Sequence, residues 1–259
     1  VNQDGVANFF VHRSAAQRYA AARPYFHPIV MRRIVEMTGQ PRFDRALDVA
    51  CGTGLSTRAL LEIANEVDAT DISPEMLAEA QQNARIRFHR APAERLPFDA
   101  VSFDLLTVGL AFHWFDQAAF LSEAHRVLKP SAWLVVYTSG FDGEMAEDAA
   151  FRAWAHVVYP KHFPTPPRRS VGVSAELVAP FGFKLHSHER FAHNETMTAD
   201  ELTAYLLTQT NVIAAVESGS VPIEQAAQWI REGAAPFFND QPRTMKFSGS
   251  IWFIQRNSS

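Results

Sequence analysis

Asp48-Val49-Ala50-Cys51-Gly52-Thr53-Gly54 is the stretch that decides the fold. It closes a short β-type run at 46–50 and leads into an amphipathic stretch, 55–65, that reads as helix. Glycines at a strand-to-helix turn let the chain reverse tightly and let its backbone approach a ligand closely. Asp71, seventeen residues past Gly54, ends a second β-type run at 67–71. An acidic side chain there can accept hydrogen bonds from ribose hydroxyls, an arrangement generic to nucleotide-binding α/β sheets. The dinucleotide fingerprint G-x-G-x-x-G fails, because Thr57 stands where its third glycine would be. The phosphate-binding loop also fails, since no Gly-Lys-Ser/Thr follows.

Outward from this turn, further β-type runs at 86–89, 103–108 and 132–138 alternate with helical stretches at 74–84 and 117–128. Ser73 and Pro74 supply an N-cap and a first helical residue. Ala118, Leu121, Ala124 and Leu128 form one apolar stripe, which Lys129-Pro130 stops. Strands and helices alternating in this way predict right-handed crossovers and a parallel sheet covered on both faces. Beyond Thr138 the rhythm changes. Residues 141–154 read as helical, and Pro160, Pro164, Pro166 and Pro167 then forbid regular structure. A strand at 182–191, helices opened by the capping box Thr198–Glu201 and by Pro222, and a strand at 244–254 broken at Gly249 complete the pattern.

The chain has 259 residues, 47% hydrophobic and 20% charged, with a net charge of −4. With 20 Phe, 5 Trp and 5 Tyr it is far too apolar for disorder. No stretch reaches the roughly 20 apolar residues of a membrane span. Asn2, Gln3 and Asp4 do not begin a signal pattern, and Cys51 is the only cysteine, so a reducing cytoplasm is the expected compartment. Mild acidity argues against a nucleic-acid binder. Arg85, Arg87, Arg90 and Arg95 read as a solvated strand edge. Cys51 reads as a small spacer in the turn; His186, His188 and His193 could share a strand face, but a His-x-His pair with no nearby Cys is a weak metal signal, so no metal is expected.

The ordered motifs of residues 15–138 resemble class I S-adenosylmethionine-dependent methyltransferases, with Ala50 in place of the first loop glycine. Asp71-Ile72-Ser73-Pro74-Glu75-Met76-Leu77 is similar to that family's ribose- and adenine-flanking segment. Ala91-Pro92-Ala93-Glu94-Arg95-Leu96-Pro97-Phe98 is similar to the stretch after its third strand, with Pro92 replacing the usual acidic residue. Ala111-Phe112-His113-Trp114-Phe115-Asp116 and Tyr19-Ala20-Ala21-Ala22-Arg23-Pro24 resemble the small-molecule enzymes similar to trans-aconitate methyltransferase.

The resemblance implies a Rossmann-like, doubly wound, seven-stranded, mostly parallel sheet whose last strand is antiparallel, with helical insertions forming a lid. It implies one domain over 1–259: cap helices at 1–40, a cofactor core at 41–140, a cover at 141–180 and 196–241, and last strands at 181–195 and 242–256. S-adenosylmethionine would contact Asp48, Ala50, Cys51, Gly52, Gly54, Asp71, Ile72, Met76, Ala93, Glu94 and Gly109. Tyr19, Arg23 and Trp114 would cap the cofactor or hold substrate, and His113 is the candidate base. A carboxylate acceptor needs no base, whereas an alcohol, phenol or ammonium does. The expected partner is a small-molecule acceptor, a carboxylate fitting Arg23 best. A nicotinamide oxidoreductase and a non-catalytic cofactor-binding protein are the competing classes.

Overall fold

A computed structural model describes residues 13–166 and 172–258; the expectations for residues 2–4 and for Pro167 lie outside them. The first elements are α1 (Arg13–Ala22), α2 (His27–Thr38), β1 (Phe43–Val49), α3 (Leu55–Leu60), β2 (Ala64–Asp71), α4 (Pro74–Ala78) and β3 (Ile86–Arg90). Next come β4 (Phe103–Gly109), α5 (Gln117–Val127), β5 (Leu128–Met145), α6 (Phe151–Ala153), α7 (Tyr159–His162) and α8 (Ala175–Val178). The chain continues through β6 (Phe183–Met197), α9 (Ala199–Leu206), α10 (Thr210–Glu217), α11 (Ile223–Ala234) and β7 (Arg243–Arg256).

The seven strands make one sheet in the order β3-β2-β1-β4-β5-β7-β6. The pairs β1–β2, β1–β4, β2–β3 and β4–β5 are parallel. Ala146 N–H donates to Thr244 O, and Ser250 N–H to Thr138 Oγ1, so residue numbers fall along β7 as they rise along β5. That makes β7 antiparallel and the sheet mixed, as the resemblance implies. The period of two sends Ala46, Leu105, Val135 and Tyr137 to one face and Leu47, Val49, Leu106, Val108, Leu134 and Val136 to the other. Both sets are buried, as a parallel sheet covered by helices requires.

Two compact units divide the described residues. One comprises 25–138, 172–191 and 249–258 and holds the two apolar clusters that flank the sheet. The other comprises 13–24, 139–166 and 192–248, and its core is aromatic: Phe151, Trp154, Tyr159, Phe163, Tyr205 and Phe247. Among the described residues no helix is long and apolar enough to cross a membrane.

Several elements differ from the sequence reading for local reasons. The helix after the glycine loop stops at Leu60, where Ile63 N–H bonds back to Leu60 O and β2 begins at Ala64. The helix opened by Pro74 stops at Ala78, because Asn83 builds a turn, its side chain accepting from Arg85 N–H and its carbonyl from Ile86 N–H. Residues 141–145 continue β5 and are not helical. Phe141 and Met145 reach the aromatic core on one strand face, and Gly143 between them hides the alternation. Gly143 is glycine because a Cβ there would meet the His156 ring at 2.6 Å. Thr208 Oγ1 donates to Tyr205 O and separates α9 from α10, although the helical spacing of Leu202, Tyr205, Leu206, Ile213 and Val216 reads as one helix. Gly249 does not break β7; a Cβ there would lie 2.0 Å from Thr138 O, so its role is close packing. On β3, Arg87 is partly exposed but paired with Glu66 and the buried Asp68, so the arginine run is only in part a free edge.

The capping box is present in full: Glu201 N–H donates to Thr198 Oγ1 at 3.2 Å, and Thr198 N–H to Glu201 Oε2 at 2.7 Å. Thr198→Ala should lower stability by about 1 kcal/mol, read as a drop in the denaturation midpoint with unchanged slope.

Candidate functional site

The turn after β1 is built from left-handed residues. Ala50, Gly52 and Gly54 have φ of 57°, 56° and 80°. Only glycine adopts such angles without steric cost, and Ala50 carries the strain of a Cβ. A Cβ on Gly52 would touch Met76 Cε at 3.0 Å, which explains both the glycine and the buried methionine beneath it. Backbone bonds lock the turn: Cys51 N–H to Thr70 O at 2.9 Å, and Gly54 N–H to Cys51 O at 3.0 Å.

Asp71 joins this turn to the end of β2. Its Oδ2 accepts from Gly52 N–H at 2.8 Å and its Oδ1 from Ser73 N–H at 2.9 Å. Burial pushes its pKa up, and the backbone donors at Ser73, Gly52 and Ile72 pull against that. A carboxylate has about four acceptor positions, so beside these backbone donors Asp71 keeps capacity for a further one. A ribose hydroxyl matches it. Beside it Ile72 is 49% exposed, an apolar side chain available to a flat ring. Thr53 Oγ1, between the two glycines, is buried without a hydrogen-bond partner. The spare acceptor capacity, the open apolar surface and the orphaned hydroxyl fit a nucleoside with a polar tail.

Asp48 does something else. It is fully buried, and its carboxylate accepts from Ser56 Oγ at 2.6 Å, Thr57 Oγ1 at 2.7 Å and Thr107 Oγ1 at 3.0 Å. Those hydroxyls sit at the start of α3 and on β4, so Asp48 ties the turn to the neighbouring strand from inside. Burial lifts its pKa from 3.8 to about 6, against the three hydroxyl bonds, with the charge of Asp71 adding to the rise. Cys51 is also buried, and burial followed by the two carboxylates raises its thiol pKa well above the ordinary value. Its place inside the turn agrees with the spacer reading.

The remaining expected residues fall into two groups. Ala93 is buried, Glu94 Oε1 accepts from Asp116 N–H at 3.0 Å, and His113 and Trp114 share the 3₁₀ turn Phe112–Trp114 with ring centroids 4.6 Å apart. Gly109 has a packing reason of its own, since a Cβ there would lie 2.6 Å from Tyr137 Oη. All of these belong to the unit that carries Asp71. Tyr19 and Arg23 belong to the other. There the Arg23 guanidinium lies 4.5 Å from the Tyr19 ring and 5.4 Å from that of Tyr205, and Nη2 donates to Thr208 O at 2.9 Å. Among the described residues no carboxylate pairs with Arg23, and no three His, Cys, Asp or Glu come together to hold a metal.

Sequence reasoning missed the three hydroxyls around Asp48 and the position of Tyr205 beside Arg23. The strand period could have matched Thr107 to Asp48, its register partner; nothing local marks the others.

A family model described as a methyltransferase domain matches residues 47–136. The chain is 33% identical over 149 residues to a malonyl-[acyl-carrier protein] O-methyltransferase of Enterobacter lignolyticus, covering 54% of this chain and 59% of that one. It is 36% identical over 109 residues to a demethylmenaquinone methyltransferase of Chlorobaculum parvum, covering 41% and 45%. The chain thus spans about half the length of the curated relatives it matches. Among solved structures, a protein of Anaeromyxobacter dehalogenans provisionally assigned as a type II methyltransferase superposes with a TM-score of 0.70 at 24% identity, covering 90% of this chain and 97% of that one. Phosphoethanolamine N-methyltransferase 2 of Haemonchus contortus, bound to S-adenosylmethionine, superposes at 0.54 with 18% identity, covering 98% and 61%. The narrower likeness to trans-aconitate methyltransferase remains a reading of the motifs.

Because folding raises the Asp48 pKa, its contribution to stability is complete below about pH 4 and disappears as pH rises through about 6. Relative to Asp48→Asn, the wild type should therefore lose about 3 kcal/mol between acid and neutral pH. Denaturation of both proteins across that range checks this, and parallel profiles would contradict it.

Turn, sheet and relatives agree over the part they cover: residues 47–136 match a methyltransferase domain, and the fold around them is the one these solved structures share.

Proposed function

We propose that the protein transfers a methyl group from S-adenosylmethionine to a carboxylate oxygen of a small acid. The observation that supports this is Asp71, held at the end of β2 by backbone donors, with acceptor capacity left for a further one. Asp71 would take a ribose hydroxyl, Ile72 would lie against the adenine, and the backbone at Gly52–Gly54 would face the methionine portion. Asp48 would hold that turn without touching the cofactor.

Bound there, S-adenosylmethionine supplies an electrophilic methyl on a sulfonium. An in-line displacement needs orientation more than acid–base help, and a carboxylate acceptor is already deprotonated at neutral pH. The Enterobacter relative, named for O-methylation of a malonyl group, supports an acidic acceptor. On this reading His113 lines the site and no proton passes through it.

Titration calorimetry should show S-adenosylhomocysteine binding that weakens about 100-fold in Asp71→Ala, the loss of a hydrogen bond to a charged acceptor. NADH should give no heat; tight NADH binding with none for S-adenosylhomocysteine would refute the cofactor assignment. With a panel of small acids and hydroquinones, acids should yield methyl esters. Methylation confined to the hydroquinones would refute the acceptor.

A further inference from the structure

The unit comprising 13–24, 139–166 and 192–248 holds a second constellation that methyl transfer does not use. Ser139 Oγ lies 3.0 Å from His193 Nε2, and His193 Nδ1 lies 3.0 Å from Glu195 Oε1. Ser139 is on β5, while His193 and Glu195 are on β6, two residues apart and hence on one strand face. The His193 side chain is 6% exposed, and its ring stacks on Phe247 with centroids 5.0 Å apart and an interplanar angle of 21°. The imidazole is therefore fixed in plane by an aromatic neighbour and at both nitrogens by hydrogen-bond partners.

This is the order of roles in an activated nucleophile: hydroxyl, base, and a carboxylate that orients the base. With Glu195 taking the Nδ1 proton, the Nε2 lone pair faces Ser139, the tautomer that can remove its proton. Ser139 is only partly buried, and its chain neighbour Gly140 is exposed, with nothing within 4 Å of where a Cβ would stand.

We propose that Ser139 is a nucleophile toward activated carboxylic esters, with His193 as its base and Glu195 as the residue that positions it. Ser139 Oγ would bond to the ester carbonyl carbon while its proton moves to His193 Nε2. The bond to the leaving group would then break, and that group would leave with the proton from His193. Water, deprotonated by His193, would attack the acyl-serine, releasing the acid and restoring Ser139. The net reaction is ester plus water to acid plus alcohol, with no other reactant. This activity is independent of the methyl-transfer reading.

The test uses the whole chain with p-nitrophenyl acetate and a fluorophosphonate probe. The wild type should release nitrophenolate and carry the probe on Ser139, identified by peptide mass. Ser139→Ala should abolish the label, His193→Gln should slow hydrolysis by about 100-fold, and Glu195→Gln should slow it by a smaller factor. Each variant should keep the wild-type melting temperature, which separates loss of chemistry from loss of fold. Absence of label on wild-type Ser139, or hydrolysis undiminished in a folded Ser139→Ala, would overturn the proposal. S-adenosylhomocysteine binding, measured alongside, reports on the methyltransferase reading alone.

Discussion

The hydrogen bonds from Gly52 and Ser73 N–H to the two oxygens of Asp71 hold the ends of β1 and β2 together where their chains turn. Without that carboxylate, two buried backbone donors would lack a partner, and the left-handed turn at Ala50, Gly52 and Gly54 would lose its anchor. Gly52 can make the bond because its missing Cβ leaves room for Met76. On the proposed reading the same side chain would both build the turn and accept from a ligand.

Asp48 complements Asp71 from below. The two carboxylates are close enough for the charge of Asp71 to raise the pKa of Asp48, yet they act on different partners. Asp71 is tied to backbone N–H groups at the end of the sheet; Asp48 is tied to three hydroxyls inside it. Burying Asp48 costs stability at neutral pH, and that cost sets the conformation of the turn. Binding sites commonly carry such local destabilisation.

Much of this could be read from residue order. The glycines, the acid that follows seventeen residues on, and alternating β-type and helical runs led to the sheet and to the turn that joins β1 to α3, because each signal is local. Three features were out of reach. Asp48 has the residue type of a ligand contact, and although the strand period can match Thr107 to it, only the fold reveals that Ser56 and Thr57 bond to it as well. β5 extends to Met145 because Phe141 and Met145 have a core to reach, a tertiary cause that no local pattern carries. Ser139 and His193 are 54 residues apart on different strands, and nothing near either one announces the other. Short-range chemistry can be read from sequence; partnerships made by the sheet cannot.

The central claim is that Asp71 is the ribose-holding group of an S-adenosylmethionine site. A crystal structure with S-adenosylhomocysteine tests it most directly. The account predicts a ribose hydroxyl on an Asp71 oxygen, within about 3 Å, with Ile72 against the adenine and Asp48 still bonded to its three hydroxyls. Ligand density with the ribose away from Asp71, or with Asp48 turned out to meet it, would contradict the account.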